Sequence, residues 1–246
     1  MEKTIIVMPV ANEGETMNSI IDDILALHYD NLYLYPVIDK MSTDNTEDII
    51  DAAEGRTNGL VHKIFYENSH GVASCYLYGF EQALNDGAER IIEMDGGGSH
   101  SPKEIPEFIN ALNAGYDCVW GSRFLGGGGI QHHPWYRRVL SHGGTWLSNL
   151  VLGTELKDMT SGFEAFQAHV LRKLDFTKFL SKGHMYQTEM RYYCRHYKCK
   201  EVPIHYIGGS SSLKFHSVIE AIDILFRFTR NEKCVFKETY KISGDA

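Results

Sequence analysis

Short apolar runs alternate with helix-patterned segments through the first half of the chain, and that alternation excludes most architectures. Thr4–Pro9 and Leu32–Ile38 are near-continuous apolar runs, the pattern of strands buried on both faces. Between them, Met17, Ile20, Ile21, Ile24 and Leu25 recur at helical spacing within Thr16–Leu27. The second run ends at Asp39, and Asp44 with Glu47 reads as a cap and its partner opening a helix over Thr46–Ala53. Val61–Tyr66 is predicted as a third strand, Val72 to Asn85 as a helix, Arg90–Met94 as a fourth strand and Pro102–Asn113 as the next helix. Strands joined through helices require right-handed crossovers and a mostly parallel sheet. The expected fold is therefore α/β: one Rossmann-like domain whose central sheet is flanked by helices. In such a sheet the ends of the first, second and fourth strands converge, bringing Asn12, Asp39 and Asp95 toward one cleft.

The fourth strand carries the strongest local signal. Ile91-Ile92-Glu93-Met94-Asp95 runs into Gly96-Gly97-Gly98-Ser99-His100, after which Ser101-Pro102-Lys103-Glu104 reads as a capped helix start. Strand, acid, bare backbone and helix is how an open α/β sheet offers a carboxylate to a ligand at the strand's carboxyl end. The glycines allow that ligand to approach the backbone closely. A glycine-rich surface turn is the alternative reading of the segment alone.

The second half is less regular. Cys118–Gly121 is expected as a strand, Gly126–Gly129 as a hinge or lid before a polar loop with His132 and His133, and Glu201–Tyr206 as a late strand. Tyr136–Leu152 has helical patterning but is expected to break after Ser141 at Gly143-Gly144. Gly208–Ser212 is a small-residue loop. Ser217 with Glu220 suggests a capping box for a terminal helix with apolar positions Val218, Ile219, Ile222, Leu225 and Phe226.

Bulk properties narrow the function. A net charge of −8 argues against a nucleic-acid backbone as partner. The five cysteines are scattered without a C-x-x-C pair, which suggests reduced thiols and neither a zinc site nor a disulfide framework. No apolar run has the length of a membrane span. The expectation is a cytoplasmic protein whose terminal helix packs on the core, with peripheral membrane contact as the alternative because Arg227, Arg230 and Lys233 flank its apolar face.

Read in order, the segments resemble family-2 glycosyltransferases of the GT-A fold, in the dolichol-phosphate mannose synthase-like branch. Pro9-Val10-Ala11-Asn12-Glu13 is similar to P-x-Y-N-E, and Val37 to Thr46 to V-x-D-D-G-S-T-D-x-T. Met94 to Pro102 is similar to M-D-A-D-x-x-H-x-P, Gly121-Ser122-Arg123-Phe124 to G-S-R-Y, and Arg137-Arg138 with Ser141 to R-R-x-x-S. Met159 to Phe166 resembles P-T-S-G-F-R-A-F, Tyr186 to Glu189 resembles F-Q-x-E, and Glu201 to Ile204 is E-V-P-I. Each motif is weak alone; the ordered series, from Ile5 to about Ile222, is specific.

The resemblance implies transfer of a sugar, with inversion, from a UDP- or GDP-sugar to a polyprenyl phosphate. It implies a donor-binding half over residues 1–120, an acceptor-binding half over 121–216, and a terminal helix and tail over 217–246. Pro9, Asn12, Glu13 and Asp39 would line the nucleoside pocket, with Gly97 beside the donor. Asp95 would hold Mg²⁺ or Mn²⁺ on the diphosphate, a hard cation suited to oxygen ligands. Arg123, Arg137 and Arg138, with Ser141, would grip the acceptor phosphate, Gln187 and Glu189 would lie on the acceptor side, and Lys214 would close over the phosphates. Always-charged, planar arginine suits a phosphate that needs positioning more than deprotonation.

The departures are specific. Gly97 stands where the second acid of D-x-D would be, Ser99 where some relatives have a further ligand, Ala11 where an aromatic would face the base, and Lys40 where the second acid of D-D would be. They leave two further readings open: transfer to a saccharide hydroxyl, and a catalytically silent nucleotide-sugar binder.

Overall fold

The computed structural model describes residues 2–131, 135–183, 185–208 and 215–237. Its first half follows the predicted alternation: β1 (Thr4–Val10), α1 (Met17–Leu25), β2 (Leu32–Asp39), α2 (Thr46–Arg56), β3 (Ile64–Tyr66), α3 (Val72–Asn85), β4 (Arg90–Glu93), a 3-10 turn (Pro102–Glu104) and α4 (Ile105–Asn113). The second half adds β5 (Cys118–Ser122), β6 (Gly129–Gln131), α5 (Trp135–Leu152), β7 (Glu164–Gln167), α6 (Ala168–Leu171), α7 (Met185–Tyr193), β8 (Cys199–Pro203), β9 (His205–Ile207) and α8 (Phe215–Val235).

Seven strands form one sheet in the order β3-β2-β1-β4-β7-β5-β8. All pairings are parallel except those of β7, which runs antiparallel to β4 and β5. Alternation along β1 sorts its side chains onto opposite faces. Ile5 and Val7 join the cluster of Phe80 (α3), Val170 (α6), Met190 (α7) and Phe228 (α8). Ile6 and Met8 join that of Ile21 (α1), Ile50 (α2) and Phe108 (α4). Two buried faces under helices are the reason these strands read as unbroken apolar runs.

Several local expectations change. Val61 makes only an isolated bridge to Leu34, so β3 is shorter than predicted. The capping box at α2 does not form: the cap position is Asn45, without a side-chain cap bond, while Asp44 Oδ1 closes the turn before it by accepting from Thr46 N at 3.0 Å and Glu47 pairs with Lys63. Glu104 likewise does not close a box; it accepts from His205 N at 2.7 Å and ties the 3-10 turn to β9.

The expected lid is partly strand, because Gly129 starts β6, which pairs with β9 as a separate two-stranded sheet. The late strand divides at Ile204 into β8 and β9. α5 continues unbroken through Gly143-Gly144, its inner side held by buried Thr145 and Ser148 and by Leu147 and Leu152 against the core. Tertiary packing there outweighs the glycines' poor helix propensity. α8 begins at Phe215, so Ser217 is inside the helix rather than its cap. Among the described residues no helix is long and apolar enough to cross a membrane.

Candidate active site at the carboxyl ends of the strands

β1, β2 and β4 are neighbours, so their carboxyl ends deliver Asn12, Asp39 and Asp95 to one edge of the sheet, as expected. Asn12 has φ 59°, a left-handed conformation that asparagine tolerates better than most residues. Its Oδ1 accepts from Thr43 N at 2.8 Å and Asp44 N at 3.2 Å, and its own N–H donates to Ser42 Oγ at 3.2 Å. Asn12 therefore builds the wall of the cleft by fixing the 41–44 loop. Glu13 N donates to Thr46 Oγ1 at 2.8 Å, and Gly14 N to Asp44 Oδ2 at 2.9 Å, which fastens the same two loops again.

Asp39, at the end of β2, accepts from Met41 N at 2.9 Å and Ser69 Oγ at 2.7 Å. Partial burial works against its charge, but these bonds, the Cys75 thiol and the Lys40 ammonium outweigh that and lower its pKa. It is ionised at neutral pH and positioned to accept a donor group. Pro9 is half-buried in β1, and its carbonyl closes over Gly96: a β-carbon at Gly96 would stand 3.1 Å from Pro9 O and 2.6 Å from Val10 Cγ1. Gly98 has φ 76°, a conformation that glycine adopts without steric cost.

Asp95 is held from two sides. Its Oδ1 accepts from Ser99 N at 3.3 Å, and its Oδ2 lies 3.0 Å from His100 Nδ1. His100 is buried, with its ring stacked on Phe163 at 5.0 Å. Burial lowers its pKa against the raising influence of Asp95, and the same Nδ1 faces the Asp95 N–H at 3.4 Å. Its Nε2 is one of the buried polar atoms without a partner among the described residues.

The structure changes the setting of Arg123, which follows β5. The guanidinium was expected as an open clamp; instead it is buried and forked onto Asp158, Nε to Oδ2 at 2.7 Å and Nη2 to Oδ1 at 2.8 Å. Nη2 also donates to Thr160 Oγ1 at 2.6 Å. Burial opposes the charge on Asp158, but the bonds and charge of Arg123, with Arg191 behind, hold it at about 2. The guanidinium carbon lies 5.5 Å from the Tyr206 ring, which also meets His100 edge-on at 5.7 Å. Tyr206 thus links the Arg123 side of the cleft to the Asp95 side.

Gln187 and Glu189 are both engaged within the fold. Gln187 Nε2 donates to buried Glu93 Oε1 at 3.4 Å. Glu189 accepts from Leu180 N and Ser181 N, each at 2.8 Å, and from Tyr193 Oη at 3.0 Å. Both of its oxygens hold the 180–181 segment, so in this structure Glu189 anchors that segment.

Around Gln187 lies a charged core absent from the sequence reading. Glu93 on β4 faces Glu164 on β7 across the antiparallel pair, and Arg191 Nε sits 3.0 Å from Glu164. Arg191 also donates to the carbonyls of Asp158 and Ser161, clamping the turn that carries Asp158. Burial raises both carboxyls, Glu164 to about 8. A readable signal for Asp158 did exist. Aspartate two residues before threonine recurs at Asp44/Thr46, Asp158/Thr160 and Asp175/Thr177, each closed by the aspartate accepting from the threonine N–H.

On α5, Arg138 is exposed and Ser141 half-buried, and His142 stacks on Phe124 at 3.8 Å, placing this helix beside Arg123. The side chain of Arg137, and all of His132, His133, His184 and Lys214, lie outside the described residues. Together the described groups offer an ionised acid at β2, a fixed acid at β4 and a paired guanidinium at β5. That donor set suits a polar, phosphate-bearing ligand with a hard cation.

Known proteins place this geometry. The glycosyl transferase family 2 model matches residues 5–175. The polyprenol monophosphomannose synthase of Mycolicibacterium smegmatis is 31% identical over 227 residues, covering 90% of this chain and 84% of the relative. The undecaprenyl-phosphate mannosyltransferase of Micrococcus luteus is 33% identical over 193 residues, covering 76% and 78%. A crystal structure of glucosyl-3-phosphoglycerate synthase from Mycobacterium tuberculosis, with Mn²⁺, UDP and glucosyl-3-phosphoglycerate, superposes with a TM-score of 0.67 at 14% identity, over 98% of this chain and 83% of that one. The fold is GT-A, and the chain belongs to glycosyl transferase family 2 and is a glycosyltransferase.

Proposed function

We propose that this enzyme moves a sugar, with inversion at the anomeric carbon, from a nucleoside-diphosphate sugar to a polyprenyl phosphate at the cytoplasmic face of a membrane. The observation that carries the reading is the placement of Asp39, Asp95 and the Arg123–Asp158 pair at the carboxyl ends of parallel strands of one sheet. The names of both sequence relatives join a mannosyl group to a polyprenyl phosphate, which supports the acceptor class. Residues 1–120 would take the donor and residues 121–216 the acceptor.

In the reaction a phosphate oxygen of the acceptor attacks the anomeric carbon. The bond from that carbon to the donor's diphosphate breaks, and the nucleoside diphosphate leaves with the electron pair. The acceptor is already ionised, so no base need remove a proton. Positioning and charge compensation are the remaining demands. Arg123, oriented by Asp158, would face the acceptor phosphate with Arg138 and Ser141 on α5; Arg137 and Lys214 would add to it. Asp39 would hold the nucleoside against Pro9 and the Asn12 loop.

Asp95 fits a divalent cation: its carboxylate is fixed by His100 and the Ser99 N–H, and the glycines after it leave room for a diphosphate. Mg²⁺ or Mn²⁺ bound there would neutralise charge on the leaving diphosphate.

The lipid acceptor also accounts for a surface feature. Val139, Leu140, Trp146 and Leu150 are 47–66% exposed along α5, and Phe226 is 54% exposed on α8. Apolar side chains in a stripe beside the acceptor residues suit an interfacial helix. Thermal unfolding with Mn²⁺ and a panel of GDP- and UDP-sugars tests the donor site. A true donor at about 100 times its Kd should raise Tm by about 5–10 °C, and Asp95→Ala should abolish the metal-dependent part of that shift. No stabilisation by any nucleotide sugar would contradict the reading.

A further inference from the structure

We infer that Glu13 supplies the second carboxylate of the cation site, in place of the acid that Gly97 does not provide. The inference rests on the reading of Asp95 as a cation ligand and carries it to a residue in the turn after a different strand. A β-carbon built on Gly97 would stand 3.4 Å from Oε1 and 3.6 Å from Oε2 of Glu13. The Glu13 carboxylate therefore lies against the spot where the side chain of an acid at position 97 would begin.

The turn that delivers Glu13 is fixed to the segment that delivers Asp95. Glu13 O accepts from Thr16 N at 3.0 Å and Met17 N at 2.9 Å, which closes the turn between β1 and α1. Thr16 Oγ1 then donates to the carbonyl of Gly96 at 3.2 Å, bonding that turn to the residue after Asp95. Among the described residues, no hydrogen bond or ion pair engages the Glu13 carboxylate, whereas the carboxylates of Asp39 and Asp44 are both satisfied by the loops they hold. The nearby Glu13 and Asp44 carboxylates thus differ in kind: Asp44 closes a turn, and Glu13 is presented to the cleft. Small divalent cations bound beside phosphates use one or two carboxylates, and affinity follows the number of charged ligands. With Glu13 the site has two.

Mn²⁺ binding to the full chain tests this directly, read by loss of the free-ion EPR signal, alone and with GDP or UDP. Glu13→Gln should weaken Mn²⁺ binding by roughly tenfold or more, as should Asp95→Asn, with melting curves that match the wild type. Gly97→Asp introduced into the Glu13→Gln chain should restore binding, because the new carboxylate enters the vacated space. A structural Glu13 would not be rescued by an acid on another strand. Glu13→Asp keeps the charge but withdraws it by one methylene; it should give an intermediate affinity, and it decides the matter if the glutamine variant does not fold. Wild-type affinity in Glu13→Gln alongside loss in Asp95→Asn would overturn the role of Glu13 and leave Asp95 standing. Wild-type affinity in Asp95→Asn, or no Mn²⁺ binding by the unaltered chain, would overturn the cation reading and this inference with it.

Discussion

Removing the Arg123 guanidinium would leave Asp158 ionised, buried and short of its main partner. Uncompensated buried charges of this kind cost about 3–5 kcal/mol, so Arg123→Ala should unfold at clearly lower urea as well as losing transfer. The sign with pH follows from Asp158. Its pKa falls from an ordinary 3.8 to about 2 in the folded chain, so its contribution is present above the ordinary value and is lost as pH falls toward 2. Urea unfolding at pH 7 and near pH 3 should show the wild type losing part of its advantage over Arg123→Ala on the acid side. Equal stability of the two chains at pH 7 would contradict the account. The residues visible from sequence were those that end a strand or punctuate a loop, such as Asp39, Asp95 and Asn12. Arg191 and Glu164 were not visible, because nothing local marks a charged residue whose partners come from other elements.

Among the elements, α5 is the most informative. Its apolar pattern was legible, but Gly143-Gly144 argued for a break that packing against the core overrides. The exposed stripe followed only from knowing which side faces the core. Trp146 is 66% exposed, so Trp146→Glu should leave melting unchanged while reducing co-sedimentation with vesicles of anionic phospholipid. Undiminished sedimentation would argue against α5 as an interfacial helix. β7 was hidden for a different reason. It is a four-residue strand, Glu164–Gln167, with a buried carboxyl at its start, and neither length nor period distinguishes it from a loop. Its antiparallel insertion is nevertheless what separates the parallel β3-β2-β1-β4 group from β5 and β8.

Across the whole molecule, the Glu93–Glu164–Arg191 core joins β4, which leads to Asp95, to the turn that orients Arg123. Because the folded carboxyls titrate above their ordinary value, their stabilising contribution is complete below about pH 4.5 and is lost as pH rises through about 8. Glu93→Gln should remove much of that alkaline slope, seen as a flatter Tm profile between pH 5 and pH 9, roughly the span the shift defines. An unchanged slope would show that the two buried carboxyls do not carry it. The α/β class and the adjacency of the first, second and fourth strands were readable from alternation alone. The charged core was not, because it depends on β7 and α7 meeting behind the site.

The central claim is tested most directly by supplying undecaprenyl phosphate in detergent with Mn²⁺ and a radiolabelled GDP- or UDP-sugar, then following label into the organic phase. The account predicts a lipid-linked monosaccharide phosphate, abolished by chelation and by Asp95→Ala. Label that instead appears on a free saccharide hydroxyl, or remains on the nucleotide with every donor, would contradict it.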